Sequence, residues 1–121
     1  MKLKKIYTKF FPTKGYTALT ICPFVFVRKD SRHLITSNVE RHETTHAMQQ
    51  LETLYVFFFI IYALEWLLKL PFCKFDTTDA YFSISFEQEA YEHQAEVGYN
   101  GVRKHFAWLR YVFTLNDYRY E

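Results

Sequence analysis

The 121-residue chain holds only three glycines, three prolines and two cysteines. So little glycine leaves no glycine-rich loop to cradle a phosphate. The same scarcity of glycine and proline argues against a disordered or low-complexity tract. Cys22 and Cys73 form no disulfide framework and no CxxC pair, so a reduced, intracellular protein is the expectation. Neither sign of charge dominates: the formal net charge is +2, which names no partner. The start of the chain does not read as a signal peptide, because Thr8, Lys9, Pro12, Thr13 and Lys14 interrupt any apolar run. A cytoplasmic location follows as an expectation. The positive charge is unevenly placed, with Lys2, Lys4, Lys5, Lys9 and Lys14 all near the N-terminus. Residues 1–15 are therefore expected to be a solvated, partly frayed start, with contact to an anionic membrane surface as the second reading.

Apolar residues are plentiful, at 50% of the chain, and aromatics reach 21%. The length fits one domain spanning residues 1–121 with a core of modest size. Residues 16–28, YTALTICPFVFVR, are β-branched and aromatic around Pro23, which predicts two short strands or one edge strand broken at the proline. Residues 29–36 are polar and read as a loop. Ser37 as N-cap with Glu40 three residues on makes a capping box, and nothing then breaks a helix until about Lys69, ahead of Pro71. That predicts one long helix of about eight turns. Residues 71–84 read as a connection. Ser85, with Gln88 completing a second capping box, starts another helix, which carries FEQEAYEHQAE and meets its stop signals at Gly98, Asn100 and Gly101. Residues 102–113 are expected to be helical, with Phe106, Leu109 and Val112 on one stripe. The fold class is mainly α within α+β: a long helix packed on a second, glutamate-bearing helix, with a short β element near the N-terminus.

The chemistry lies in HETTH at residues 42–46. His42 and His46 are four residues apart, so a helix puts both imidazoles on one face, one turn apart, as two ligands of one tetrahedral zinc require. Glu43 stands beside the first histidine, placed to take the proton of an attacking water. Zinc needs a third protein ligand. His93, Glu87, Glu89, Glu92 and Glu96 are candidates on the second helix, and Cys73 is a weaker one in the connection. Spacing alone does not choose among them. Glu87 and Glu89 point to different faces of a regular helix, so one would ligate and the other would orient a ligand histidine through its free N–H.

HETTH, a long helix and then FEQEAY resemble the gluzincin pattern, in which two histidines come from HExxH and a glutamate from a later helix. FEQEAY is similar to the F-E-x-x-A-D helix of integral-membrane zinc peptidases of the Ste24/HtpX kind and to the E-x-E-A-D run of small DUF4157-like domains. HAMQQLE and KHFAWLRY extend the likeness, which covers roughly residues 20–112. The resemblance implies a minimal zincin-like fold, Zn2+ as cofactor and Glu87 as the third ligand. It also implies a metallopeptidase acting on a peptide or protein substrate. Tyr91 departs from the pattern, standing where the larger families have Asp as a carboxylate partner for a ligand histidine. That role falls to Glu89 or another group.

Tyr91 and His93 are the nearest candidate oxyanion donors in sequence, and the strand at CPFVFVR is a candidate edge for pairing with an extended substrate. The alternative function is a non-catalytic zinc-stabilised binding or membrane-associated protein. Residues 53–72 include the apolar run Leu54–Leu64 and admit three readings: a buried central helix, a membrane-seated helix or a dimer face. Arg41 is a candidate partner for Glu89 or a substrate carboxylate, while Gln49 and Gln50 are candidate cleft residues. His33 and His105 read as surface residues. Basic and aromatic residues interleave at 103–111, but one short helix does not make a nucleic-acid surface, and no nucleic-acid partner is expected.

Overall fold

The computed structural model describes residues 3–9 and 18–115. The protein is mainly helical, with a small three-stranded sheet at its N-terminal end. Strands β1 (Lys4–Thr8), β2 (Ala18–Ile21) and β3 (Phe24–Arg28) are ordered β1-β3-β2. Residues 16–28 do form two strands, parted at Cys22–Pro23, although residues 16 and 17 lie outside the described region. The expectation of a frayed start fails over Lys4–Thr8. This basic segment pairs in parallel with β3, Ile6 opposite Phe26, and so covers an edge that β3 would otherwise expose. Since β2 covers the other edge in antiparallel pairing, β3 has no edge for a substrate strand, and that expectation is overturned. Alternation along β3 turns Val25 and Val27 inward, where they are buried.

The predicted eight-turn helix is two helices, α1 (Ser37–Glu52) and α2 (Val56–Lys69), bent by 110° at the join. The start lies one residue earlier than the capping box implied: Thr36 is the N-cap and its hydroxyl accepts from the Val39 N–H, so Ser37 is the first helical residue. The break at residues 53–55 carries no glycine or proline to announce it. Leu54 and Tyr55 take positive φ values of 56° and 63°, sparsely populated backbone that costs a non-glycine residue roughly 1–3 kcal/mol. Tertiary packing offsets that cost, because the turn lets α2 fold back over the core instead of running on into solvent. The core unites Phe58 of α2 with Ile84, Phe86 and Trp108, flanked by Ile61, Tyr62, Trp66, Tyr81 and Val112.

The connection after Pro71 contains a helix, α3 (Thr77–Ser83), capped by Asp76, whose carboxylate accepts from the N–H groups of Thr78 and Asp79 at 3.0 Å. The run DTTD carried that signal. Helix α4 (Ser85–His93) begins where expected, but the capping box is absent. Gln88 instead binds the carbonyls of Ser83, Tyr111 and Thr114. Its place is taken by Glu65 of α2, whose carboxylate accepts from the Ser85 N–H at 3.0 Å and from the Ser85 hydroxyl. Helix α4 ends at His93, short of the expected stop signals, and Gly98, at φ 84°, precedes the next turn of helix instead of ending this one. Asn100 and Gly101 do not stop a helix; they lie within a single turn, α5 (Tyr99–Val102). The helix expected over 102–113 shrinks to a 3-10 turn at Ala107–Tyr111. Glu52, at the end of α1, accepts from Arg103, His105 and the Phe106 N–H, and these contacts hold that stretch away from helical geometry.

Helix α2 carries its charges inward. Glu65 and Lys69 are 8% and 7% exposed, lie 3.2 Å apart, and Lys69 also donates to the carbonyls of Ser83, Tyr111 and Thr114. Lys69→Met is expected to lower stability by about 3–5 kcal/mol, because it leaves the Glu65 carboxylate buried without its cation. Denaturant unfolding would check this; a loss below 1 kcal/mol would mean that the pair is solvated.

Candidate metal centre

Helix α1 presents His42 and His46 toward α4 and Glu43 toward β2, and all three are buried. Helix α4 answers with Glu87. His42 Nε2, His46 Nε2 and Glu87 Oε1 form a triangle with every edge 3.1 Å. A single point stands about 2 Å from all three corners, the bond length zinc takes with nitrogen and carboxylate oxygen. These residues could hold a metal ion. The hydrogen bonds behind the triangle fit that role. Gln49 donates its amide N–H groups to the Phe86 carbonyl at 3.1 Å and to Glu89 Oε1 at 2.9 Å, two partners that only accept. Its amide oxygen must therefore face His46 Nδ1, 2.8 Å away, which keeps a proton on Nδ1 and leaves Nε2 as the nitrogen a metal would take in exchange for its proton. His42 Nδ1 lies 3.0 Å from the amide oxygen of Gln94, which favours the same tautomer.

Glu87 offers one oxygen to the triangle because Tyr62 of α2 donates its hydroxyl to the other at 2.5 Å. Tyr62 was not foreseen as a site residue; a tyrosine inside the otherwise apolar run needs a partner for its hydroxyl, and that was the available signal. Gln94 carried no comparable signal. Glu43 keeps Oε1 on the Thr20 hydroxyl of β2 at 2.7 Å, while Oε2 lies 3.9 Å from His42 Nε2. Gln50, buried beside it, clamps β2 onto α1 through the Thr20 carbonyl and the Cys22 N–H, both at 2.7 Å. A hollow of about 180 Å³ opens next to Glu43 between α1 and the sheet, lined by Val25, Val27, Ile35 and Val39 and by the charged Lys5 and Glu40.

Glu89 points away from the triangle. It is held by Arg103 at 2.7 and 2.8 Å and by the Tyr99 hydroxyl at 2.6 Å, and it reaches His46 only through Gln49. The expected direct contact between Glu89 and a histidine is therefore replaced by a glutamine relay. Arg41 does not meet Glu89; it donates to Asn38 and to the backbone carbonyl of Gln94 at the end of α4. Tyr91 lays its ring against His42, centroids 4.3 Å apart, with its hydroxyl 3.2 Å from that of Tyr81. The other candidate ligands lie elsewhere: His93 stacks on Tyr99, Glu92 accepts from Tyr111, Glu96 pairs with His93, and Cys73 sits near Ser83.

Burial pulls the His46 imidazolium down, but Glu87 at contact, with Glu43 nearby, more than reverses this and raises its pKa to about 9. Burial pushes the Glu87 carboxyl up, and His46 and His42 overcome it, holding the group well below the usual carboxylate range. Glu89 is likewise held down, by Arg103, Tyr99 and Gln49 against its burial. The raised His46 stabilises the metal-free fold fully below its ordinary 6.5, and that contribution is lost as pH rises through about 9. The depressed carboxylates stabilise above their ordinary 4.5, and their contribution is lost as pH falls below it. Metal-free protein is thus expected to show its highest Tm between pH 4.5 and 6.5; a Tm that climbs steadily to pH 10 would contradict this pairing.

Set against known proteins, the chain matches no family model, no curated protein and no solved structure. The gluzincin likeness rests on the motif residues themselves.

Proposed function

We propose that the protein is a zinc-dependent peptidase. One observation carries the reading: two helical histidines and a glutamate from a second helix aim three donor atoms at a single point, with Glu43 beside them. The donor set, two imidazole nitrogens and one carboxylate oxygen, suits zinc, and three protein ligands are what catalytic zinc sites use. Zinc bound there would supply the Lewis acidity that activates a water and polarises a peptide carbonyl. The chain's own residues do the remaining work. Glu43, with Oε1 fixed by Thr20, uses Oε2 to take a proton from the attacking water as the new C–O bond forms. It returns that proton to the amine nitrogen as the C–N bond breaks. Tyr62 holds Glu87 to one oxygen, and Gln49 and Gln94 keep the histidines in the tautomer that presents Nε2. Tyr91 is the proposed donor to the developing oxyanion. The hollow beside Glu43, apolar on the sheet side and charged at Lys5 and Glu40, is the proposed place for a side chain of a peptide or protein substrate.

A second reading is a non-catalytic zinc-stabilised binding protein. It is favoured by the partners on both Nδ1 atoms, which are amides rather than carboxylates. Incubating the zinc-loaded chain with a peptide mixture and reading new termini by mass spectrometry separates the two. The peptidase reading expects new termini that vanish with a chelator and return with zinc; none under either condition would overturn it. Under either reading, Gln49→Leu is expected to weaken zinc binding by roughly 10–100-fold, since it frees the His46 tautomer. Competition with a chromophoric chelator measures this, and unchanged affinity would remove Gln49 from the site.

A further inference from the structure

Helix α2 is inverted relative to a helix on a water-facing surface. Its two charged residues are buried and paired, and every exposed side chain along it is apolar. Val56, Phe57, Ile60, Leu64, Leu67 and Leu68 recur at helical spacing on the outward face, opposite Phe58, Glu65 and Lys69. The patch continues past both ends of the helix, through Leu54 at 70% exposure and through Phe72 and Phe75 at 75% and 69%. Together these side chains present on the order of 1,000 Å² of apolar surface, well beyond the largest patch on a typical soluble monomer.

We infer that this face seats the protein on a lipid bilayer, with α2 lying in the plane of the interface. Area alone would also admit a second copy, because a standard interface takes about 800 Å² from each partner. Composition and charge placement decide against it. Even homodimer interfaces are only about two-thirds apolar, and they carry roughly one hydrogen bond per 100–200 Å². The outward face of α2 offers no polar side chain at all. Its charges are arranged as hydrocarbon demands: turned inward, paired with each other, and with Lys69 further satisfied by three backbone carbonyls. Lys74, exposed between Phe72 and Phe75 at the edge of the patch, stands where a cation meets lipid headgroups. The helix does not span. Its 14 residues reach only about 21 Å, against about 30 Å of hydrocarbon, and among the described residues no single helix is long and apolar enough to cross a membrane. Tyr62 on the inward face touches Glu87, so the His42–His46–Glu87 triangle is held about one helix diameter, ~10 Å, from the lipid.

Flotation of the full chain with vesicles of phosphatidylcholine and phosphatidylglycerol tests the inference. The chain is expected to float. A variant carrying Ile60→Gln, Leu64→Gln and Leu67→Gln is expected to partition at least about 100-fold less while keeping its Tm and metal content, because these side chains point outward. As a readout that does not depend on the triple variant folding, the emission that the single variant Leu64→Trp adds to that of Trp66 and Trp108 in the parent should be quenched by brominated acyl chains. A chain that stays with the free protein overturns the inference. If it then sediments as a discrete dimer, a second copy covers the face. Flotation that survives the triple variant, or added emission from position 64 that stays unquenched in the floated single variant, overturns it as well.

Discussion

Glu43→Gln is expected to leave zinc binding intact and to slow peptide hydrolysis by about 10²–10⁴-fold, the usual contribution of a positioned general base. The two effects separate because the two jobs belong to different atoms. The metal-facing donors are His42 Nε2, His46 Nε2 and Glu87 Oε1, and no Glu43 oxygen belongs to the triangle. The substitution conserves shape, and an amide oxygen can still accept from the Thr20 hydroxyl, so β2 should keep its place on α1. What disappears is an oxygen able to take a proton near His42. The measurement is kcat/KM beside zinc content on the same sample. Hydrolysis within tenfold of the parent would mean that another group is the base. Full zinc occupancy with no activity in the parent protein would leave the binding-protein reading standing.

Glu87→Gln is expected to have the largest effect on the metal. It replaces the one anionic corner of the triangle with a neutral amide, and zinc affinity should fall by more than the roughly 10–100-fold that losing an outer partner costs. It should also lower the pKa of His46. Burial pulls that imidazole down, and the anion at 3.1 Å is the largest of the groups that lift it to about 9, so its loss shifts the balance toward burial. Titration of the metal-free variant followed by imidazole NMR signals would show this. The control is Glu89→Gln, which touches the triangle only through Gln49 and should keep most of the zinc affinity while destabilising the fold around the buried Arg103. If Glu89→Gln lost zinc as completely as Glu87→Gln, the triangle would not be the site.

Much of this centre was legible in the sequence because it obeys local rules. Four-residue spacing on a helix sets His42 and His46 on one face whatever surrounds them, and the step from Glu87 to Glu89 separates those two carboxylates onto different faces. The relay between them was not legible. Gln49 sits one turn beyond His46 and was visible as a cleft candidate, but its two acceptors, Phe86 and Glu89, come from another helix. Tyr62 and Gln94 reach the site only because α2 and the end of α4 fold back onto it. Likewise, the turn at Leu54–Tyr55 has no propensity signal, and Arg103 is drawn to Glu52 and Glu89 across the fold rather than by its neighbours in sequence.

The sequence by itself determined the mainly helical class, the pair of strands around Pro23, the two histidines with Glu43, and the presence of the apolar run Leu54–Leu64. These follow from periodicity and spacing, which act over a turn or two of chain. Only the tertiary structure decided which way that run faces, which glutamate meets the histidines, and what holds each ligand in its tautomer. Those depend on how α2 and α4 pack over α1, and packing is set by burial summed over many distant residues rather than by the order of near ones.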